Sequence, residues 1–369
     1  MPPVTKFINA YFCNLLILLF PFIFFPNLIT GEKTMQAVIH EAGGAEGLRV
    51  ENVPKPSVQD GHILIRIHYF SINRADILQR KGLYPPPKGE SDILGLEAAG
   101  VIDDISPKCS KNWRKGERVM ALLGSGGYAE FVSVNEALVM PVPANLPLSD
   151  AAAIPEVWLT AYQLLHLLAD VKSGEHVLVH AAGSGVGTAA IQLSKFAGAH
   201  ALATAGSQKK LDVAEKIGAE QTANYKSEDF SEMVLKKTNG AGVEVILDCI
   251  GSSFVDKNLA SIAIDGRWIL YGLLGGANVE GRFLASLLRK RVSLIATTLR
   301  SRSLEYKKQL VEAFSKHALP GFEKGTLKPI VDKIFKITDI QQAHMMMESN
   351  MNIGKIVVEV REENAKEEL

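Results

Sequence analysis

The segment VLVHAAGSGVGTAAIQLSKFAG places Gly183, Gly185 and Gly187 between a stretch of strand character and a stretch of helix character. Glycines at this spacing permit a sharp turn and let the backbone approach a pyrophosphate, while the helix N-terminus behind them supplies partial positive charge. The chemistry implied is dinucleotide binding. A bare glycine pattern is more often a structural turn, but the strand–turn–helix–strand context favours the nucleotide. The end of the next strand bears on which one. A site for NAD usually carries Asp or Glu about 20 residues after the turn, on the ribose 2′-hydroxyl. Here Thr204 to Lys210 reads TAGSQKK, with no acid, a hydroxyl at Ser207 and ammonium groups at Lys209 and Lys210. That composition suits the 2′-phosphate of NADPH.

Other chemistries find little support. Cys13, Cys109 and Cys249 lie far apart without a CxxC pair, which excludes a cysteine-built zinc site and argues against a disulfide framework. Forty basic residues balance forty acidic ones, so no global basic field draws the chain to nucleic acid. The basic run Leu287 to Val292 (LLRKRV) reads as charge flanking an edge strand. His40, His68, His166, His176 and His180 read as structural.

The elements that must position the turn change character along the chain. From Met35 to about Pro155 short strands alternate with Gly- and Pro-rich turns; Ile63–Tyr69, Val119–Leu123 and Ala129–Val134 read as strands. From about Ala161 strands and helices alternate. His176–His180, His200–Ala205, Val243–Asp248 and Arg267–Tyr271 are the strands, and Thr188–Ala197 is the helix behind the turn. Alternation at this spacing predicts a parallel, doubly wound sheet. Beyond Arg302 a helical stretch leads to a closing strand, Gly354–Val360.

The two ends stand apart. Phe7 to Gly31 carry no charge and include the run FCNLLILLFPFIFF, the pattern of a signal peptide or a membrane anchor. Pro21 and Pro26 count against a spanning helix. A third reading is a non-native start, with Met35 opening the domain. The C-terminal KEEL differs from the KDEL retention signal only in Glu for Asp. A start at Met35 implies a cytoplasmic protein, and a working signal together with KEEL implies the endoplasmic reticulum lumen. A membrane contact is expected only if residues 1–34 are retained.

The chain resembles the zinc-independent quinone oxidoreductase branch of the medium-chain dehydrogenase/reductase superfamily. The stretches that carry the likeness are Asn73-Arg74-Ala75-Asp76, Ile93 to Glu97, Ala151 to Glu156, Trp158 to Ala161, Thr204 to Leu211, Asp265 to Gly272 and Asn352 to Lys355. Zinc-dependent relatives carry Cys near the NRAD position and Gly-His-Glu where Gly95-Leu96-Glu97 stands here; the likeness therefore implies no catalytic metal, and Glu97 reads as a buried structural carboxylate. It also implies an α/β protein with a GroES-like β-rich catalytic domain (35–158), a Rossmann parallel-sheet domain binding NADPH (159–301), a C-terminal return to the catalytic domain (302–361) and a charged tail (362–369).

Site residues follow from the same resemblance. Gly183, Ser184, Gly185, Val186 and Gly187 are expected at the pyrophosphate, with the Ser184 hydroxyl as an added phosphate contact. Gly206, Ser207, Lys210 and Tyr225 would surround the 2′-phosphate. Asn73, Cys249, Tyr271, Gly272, Leu273, Asn352 and Lys355 would surround the ribose and nicotinamide. Tyr84, just before Pro85-Pro86-Pro87, matches a tyrosine on the nicotinamide side of the cleft that bonds or stacks on a quinone. The implied activity is transfer of reducing equivalents from NADPH to a small-molecule quinone, in a homodimer joined through the Rossmann sheet edge near Ser293 to Leu299. The rivals are a reductase of enal or enone double bonds and a non-catalytic NADPH-binding protein. No nucleic-acid partner is expected.

Overall fold

The computed structural model describes residues 33–363; the apolar N-terminal run and the KEEL tail lie outside them. Strands β1 (Thr34–His40) and β2 (Leu48–Pro54) pair antiparallel as a two-stranded sheet. The chain then builds β3 (His62–Ile72), β4 (Glu97–Ile105), β5 (Arg118–Leu122), β6 (Phe131–Asn135) and β7 (Val139–Pro141). These strands, from three residues in β7 to eleven in β3, join as an antiparallel sheet in which β3 pairs both β4 and β6.

After Pro155 the pattern becomes strand and helix. Strands β8 (His176–Val179), β9 (His200–Ala205), β10 (Ala219–Asn224), β11 (Val243–Asp248), β12 (Ile262–Leu270) and β13 (Ser293–Ala296) form a parallel sheet in the order β10-β9-β8-β11-β12-β13. Apolar runs such as HVLV and VEVILD fill the central positions because helices cover both faces there. The chain winds from β8 to one side and then crosses to the other. The switch point between β8 and β11 therefore sits beside the glycine turn, where an open α/β sheet holds its ligands. β12 starts five residues before the stretch read as strand in the sequence, through residues 262–266 (IAIDG), in which Asp265 takes a left-handed conformation.

The C-terminal part closes back onto the first sheet. β14 (Val331–Lys336) pairs parallel with β15 (Lys355–Glu359), and β15 pairs antiparallel with β3. Lys355 at the start of β15 is thereby delivered to the end of β3, where Asn73 stands. One continuous apolar core runs from β3 and β4 through the helix Pro155–Tyr162 to β8 and the helix Gly185–Phe196. Among the described residues, no helix is long and apolar enough to cross a membrane.

Candidate active site

The glycine turn joins β8 to the helix Gly185–Phe196. Ser184 is the N-cap of that helix, its Oγ accepting the Gly187 N–H at 2.9 Å. The hydroxyl expected to meet phosphate thus has its oxygen committed to the cap. The Gly185 and Val186 amides belong to the first turn and have no carbonyl within the helix to bond. They face the direction in which the helix dipole favours an anion. At Gly187 any side chain would collide with the Ala181 carbonyl oxygen, so the turn closes this tightly only with glycine.

The turn is stitched to the C-terminal return. Gly354 N–H donates to the Gly183 carbonyl at 2.8 Å, and Ser184 and Gly354 form an isolated parallel bridge. Asn352 Nδ2 donates to the Gly354 carbonyl at 2.9 Å. Gly185 packs against the methylenes of Lys355, and Gly183 against those of Lys210.

The loops after β9 and β10 gather positive charge. Gly206 lies against the Tyr225 hydroxyl. Ser207 precedes the helix Gln208–Lys216 in an extended conformation, without using its hydroxyl as a cap. Lys210 Nζ donates to the Asn350 carbonyl at 2.6 Å, and Arg74 Nη2 donates to Asn350 Oδ1 at 2.5 Å. Burial, then the nearby Lys226 and Arg74, hold the Lys210 ammonium below its ordinary pKa. Lys226 and Arg74 are additions to the expected set. Arg74 sits in the NRAD motif, and Lys226 follows Tyr225 directly; neither has a local signal of its role.

The loops after β11 and β12 sit together. Gly272 is in van der Waals range of the Cys249 backbone, and Leu273 on the same loop is half exposed. Burial pushes the Cys249 thiol up to about 12, so it stays protonated and is no nucleophile at neutral pH. The buried Tyr271 hydroxyl faces that thiol and has no oxygen or nitrogen partner among the described residues.

The floor is a buried network of charges. Lys355 Nζ donates to Asn73 Oδ1 (2.6 Å), to the Ile72 carbonyl (2.9 Å) and to Glu97 Oε1 (2.8 Å), which occupies all three of its protons. Asn73 Nδ2 and Ser71 Oγ donate to the same Glu97 oxygen at 2.8 and 2.5 Å, and the Glu156 N–H donates to Glu97 Oε2 at 2.8 Å. Glu97 is thus buried and structural, as expected, and it is also the hub that fixes Asn73. Leu96, fully buried, offers no ligand atom, and among the described residues no group of three His, Cys, Asp or Glu side chains is placed to hold a metal ion.

Two carboxyls around this hub are pushed up. Burial raises Glu156 to about 8, reinforced by Glu97 and opposed by Lys355. Burial likewise raises Asp76 to about 6, against the N–H of Asn73 that bonds it at 2.7 Å. Tyr84 is half-buried; its phenol is raised by burial and feels Arg300 and Glu156, which puts it at the same cleft. Arg300 lies 5.4 Å from the Tyr84 ring centroid and donates to the carbonyls of Gly124 (2.7 Å) and Tyr84 (3.4 Å) and to Gln79 Oε1 (2.7 Å). Glu156, Asp76 and Arg300 were not among the expected site residues. Glu156 and Arg300 acquire significance only from long-range packing, and Asp76 combines long-range contacts with the local capping box it forms with Asn73.

Comparison with known proteins supports the same picture. Residues 59–144 match the alcohol dehydrogenase GroES-like domain family, and residues 185–316 match the family described as zinc-binding dehydrogenase. Human quinone oxidoreductase is 31% identical over 320 residues, covering 86% of this chain and 95% of the relative. A 2-haloacrylate reductase from a Burkholderia species is 31% identical over 329 residues, covering 88% and 98%. A mycobacterial protein solved in complex with NADPH superposes with a TM-score of 0.78 at 27% identity, covering 88% of this chain and all of that one (100%).

Proposed function

Since the chain belongs to the medium-chain dehydrogenase/reductase superfamily of oxidoreductases, as a quinone oxidoreductase-like member, we propose that it uses NADPH to reduce quinones without a metal ion. The observation that carries this reading is the glycine turn with its unbonded helix amides, held against Lys355 and Lys210 by the C-terminal return. The turn is a cradle that a side chain would fill, and the stretch after β9 beside it, residues 204–210, carries no carboxylate for a 2′-hydroxyl, although Lys210 feels Asp332 from the C-terminal return. Both features fit NADPH.

In this reading the amides of Gly185 and Val186 receive the pyrophosphate. Ser207, Lys210 and Tyr225, joined by Lys226 and Arg74, receive the 2′-phosphate. Asn73, Cys249, Tyr271, Gly272, Leu273 and Asn352 line the ribose and nicotinamide side, and Lys355 holds Asn73 in place. NADPH supplies a hydride when bound, and the protein contributes position and electrostatics. Glu156 keeps a proton on its carboxyl at neutral pH, within electrostatic reach of Tyr84. Tyr84 orients the acceptor. Residues 35–158 and 302–361 form the catalytic domain and 159–301 the nucleotide domain. Two copies join through β13, an edge strand whose residues are largely exposed, as are Leu284 and Leu288 on the adjacent helix.

A second reading, reduction of an activated carbon–carbon double bond, is favoured by the likeness to a 2-haloacrylate reductase. Initial rates of the full-length chain with NADPH and NADH, against an ortho-quinone, a para-quinone and an enone, decide between them. Quinone turnover that prefers NADPH is the expected result. Turnover of the enone alone moves the protein to the double-bond reductases. NADPH binding without turnover of any acceptor leaves a non-catalytic nucleotide-binding protein.

A further inference from the structure

A cavity of about 330 Å³ lies between the strand β6 and the start of the helix Leu304–His317. Three cations line it: Arg300, Arg302 and Lys307. Arg300 bonds only neutral oxygens, on Gly124, Tyr84 and Gln79. Arg302 donates to Thr297 Oγ1 and stacks over the Tyr306 ring at 4.6 Å. Lys307 is 9% exposed, and among the described residues its ammonium has neither a hydrogen bond nor an ion pair. The carboxylates of Glu90 and Glu156 act on that ammonium from a distance without bonding it, and an anion in the cavity would complete it. Burial holds its pKa below the ordinary lysine value. The helix N-terminus at Ser303 adds its dipole to the same space.

Leu123, Val134 and Leu138 contribute apolar surface to the lining, beside the neutral polar Ser125, Ser133 and Asn135. One carboxylate, Glu90, also faces the cavity, and burial keeps His62 below its ordinary pKa and so neutral at pH 7. A dianion would gain nothing from the apolar surface and would meet Glu90. A monoanion with an apolar body uses both the cations and that surface, and a cavity of this size accommodates a small organic molecule. We propose that this cavity binds a small organic carboxylate, its head between Lys307 and the Arg300–Arg302 pair and its body against β6. None of the residues expected at the nucleotide lines the cavity, which shares Arg300 with the Tyr84 side of the cleft, and the proposal holds whether the acceptor is a quinone or an alkene.

Calorimetric titration of the full-length chain without nucleotide, using benzoate, benzamide and inorganic phosphate, tests it. Benzoate should bind about tenfold or more tightly than benzamide, which has the same shape without the charge. Lys307→Met should lose about that factor, Lys307→Arg should keep most of it, and Lys210→Ala should leave it unchanged. Equal binding of benzoate and benzamide overturns the proposal, and that contrast needs no variant to fold. Tighter binding of phosphate overturns the assigned ligand class. Loss of benzoate binding in Lys210→Ala overturns the assigned place, putting the anion in the nucleotide's phosphate cluster.

Discussion

The glycine turn and the floor of the cleft meet at one contact, Gly185 against the stem of Lys355, yet they are built on opposite principles. The turn is local. A strand, a tight loop and a helix N-terminus within about twenty residues leave backbone amides open, and its own side-chain bonds are short-range, the Ser184 cap and Thr188 Oγ1 donating to the Gly185 carbonyl. The floor is global. Asn73 bonds Lys355 from 282 residues away, and Glu97 collects four donors that come from three separate parts of the chain. Damage to the turn should therefore be read mainly in nucleotide affinity, and damage to the floor mainly in stability.

The sharpest way to break this contrast is Lys355→Met. It leaves Glu97 buried with its cation gone, and the loss of one partner from a buried pair costs about 3–5 kcal/mol. The expected outcome is a large fall in the urea midpoint, with much of it regained in the double variant Lys355→Met/Glu97→Gln, where no buried charge is left alone. A single variant of unchanged midpoint would mean that the floor is not held by this pair.

Glu156 gives the next effect, through pH. Its carboxyl rises from 4.5 to about 8 on folding, so the native state keeps a proton that the unfolded chain has already released. This contribution to stability is complete below pH 4.5 and is lost as the pH rises through 8. Asp76 behaves the same way but its loss ends near its own value of about 6. Between pH 6 and 8 the wild-type chain should lose stability relative to Glu156→Gln by at most about 1.4 kcal/mol per pH unit, since the buried histidines, held below their ordinary pKa, affect both proteins equally. Urea midpoints across that range, if parallel for both proteins, would remove Glu156 from the account.

The same contrast explains what could be read from the sequence. The turn, its flanking strand and helix, and the alternating β/α rhythm were legible because each rests on neighbours a few residues apart. The missing acid after β9 was legible for the same reason. Asn73 and Lys355 came only through family resemblance, since nothing near either one announces the other. Glu97 was correctly read as buried and structural, but its role as hub depends on donors from β3, β15 and the helix Pro155–Tyr162. Arg300 and Lys307 carried no signal, and Glu156 lay in a stretch of the family likeness without any sign of its own role, because an ordinary charged residue acquires its chemistry from what the fold packs beside it.

Lys210 tests the turn side of the contrast. Its ammonium is half-buried, crowded by Lys226 and Arg74, and bonded only to a carbonyl. Lys210→Ala should weaken NADPH by about tenfold or more, the worth of a charge-assisted bond, and leave NADH and the urea midpoint nearly unchanged. Fluorescence titration with both nucleotides measures this directly. Equal weakening of the two would show that the lysine does not sense the 2′-phosphate.

Ser184 offers the smallest and most discriminating effect. Its Oγ accepts the Gly187 N–H, so its contribution belongs to the helix cap. Replacing a serine N-cap by alanine costs about 1 kcal/mol, and by glycine only a few tenths. Ser184→Ala should lower the urea midpoint modestly, Ser184→Gly hardly at all, and both should bind NADPH within about twofold of wild type, since no charge-assisted bond is removed. If Ser184→Gly instead lost tenfold in NADPH affinity at an unchanged midpoint, the hydroxyl would be a phosphate ligand in its own right. The turn would then recognise the nucleotide with a side chain as well as with its backbone, and the division between a backbone-built turn and a side-chain-built floor would fail at this residue.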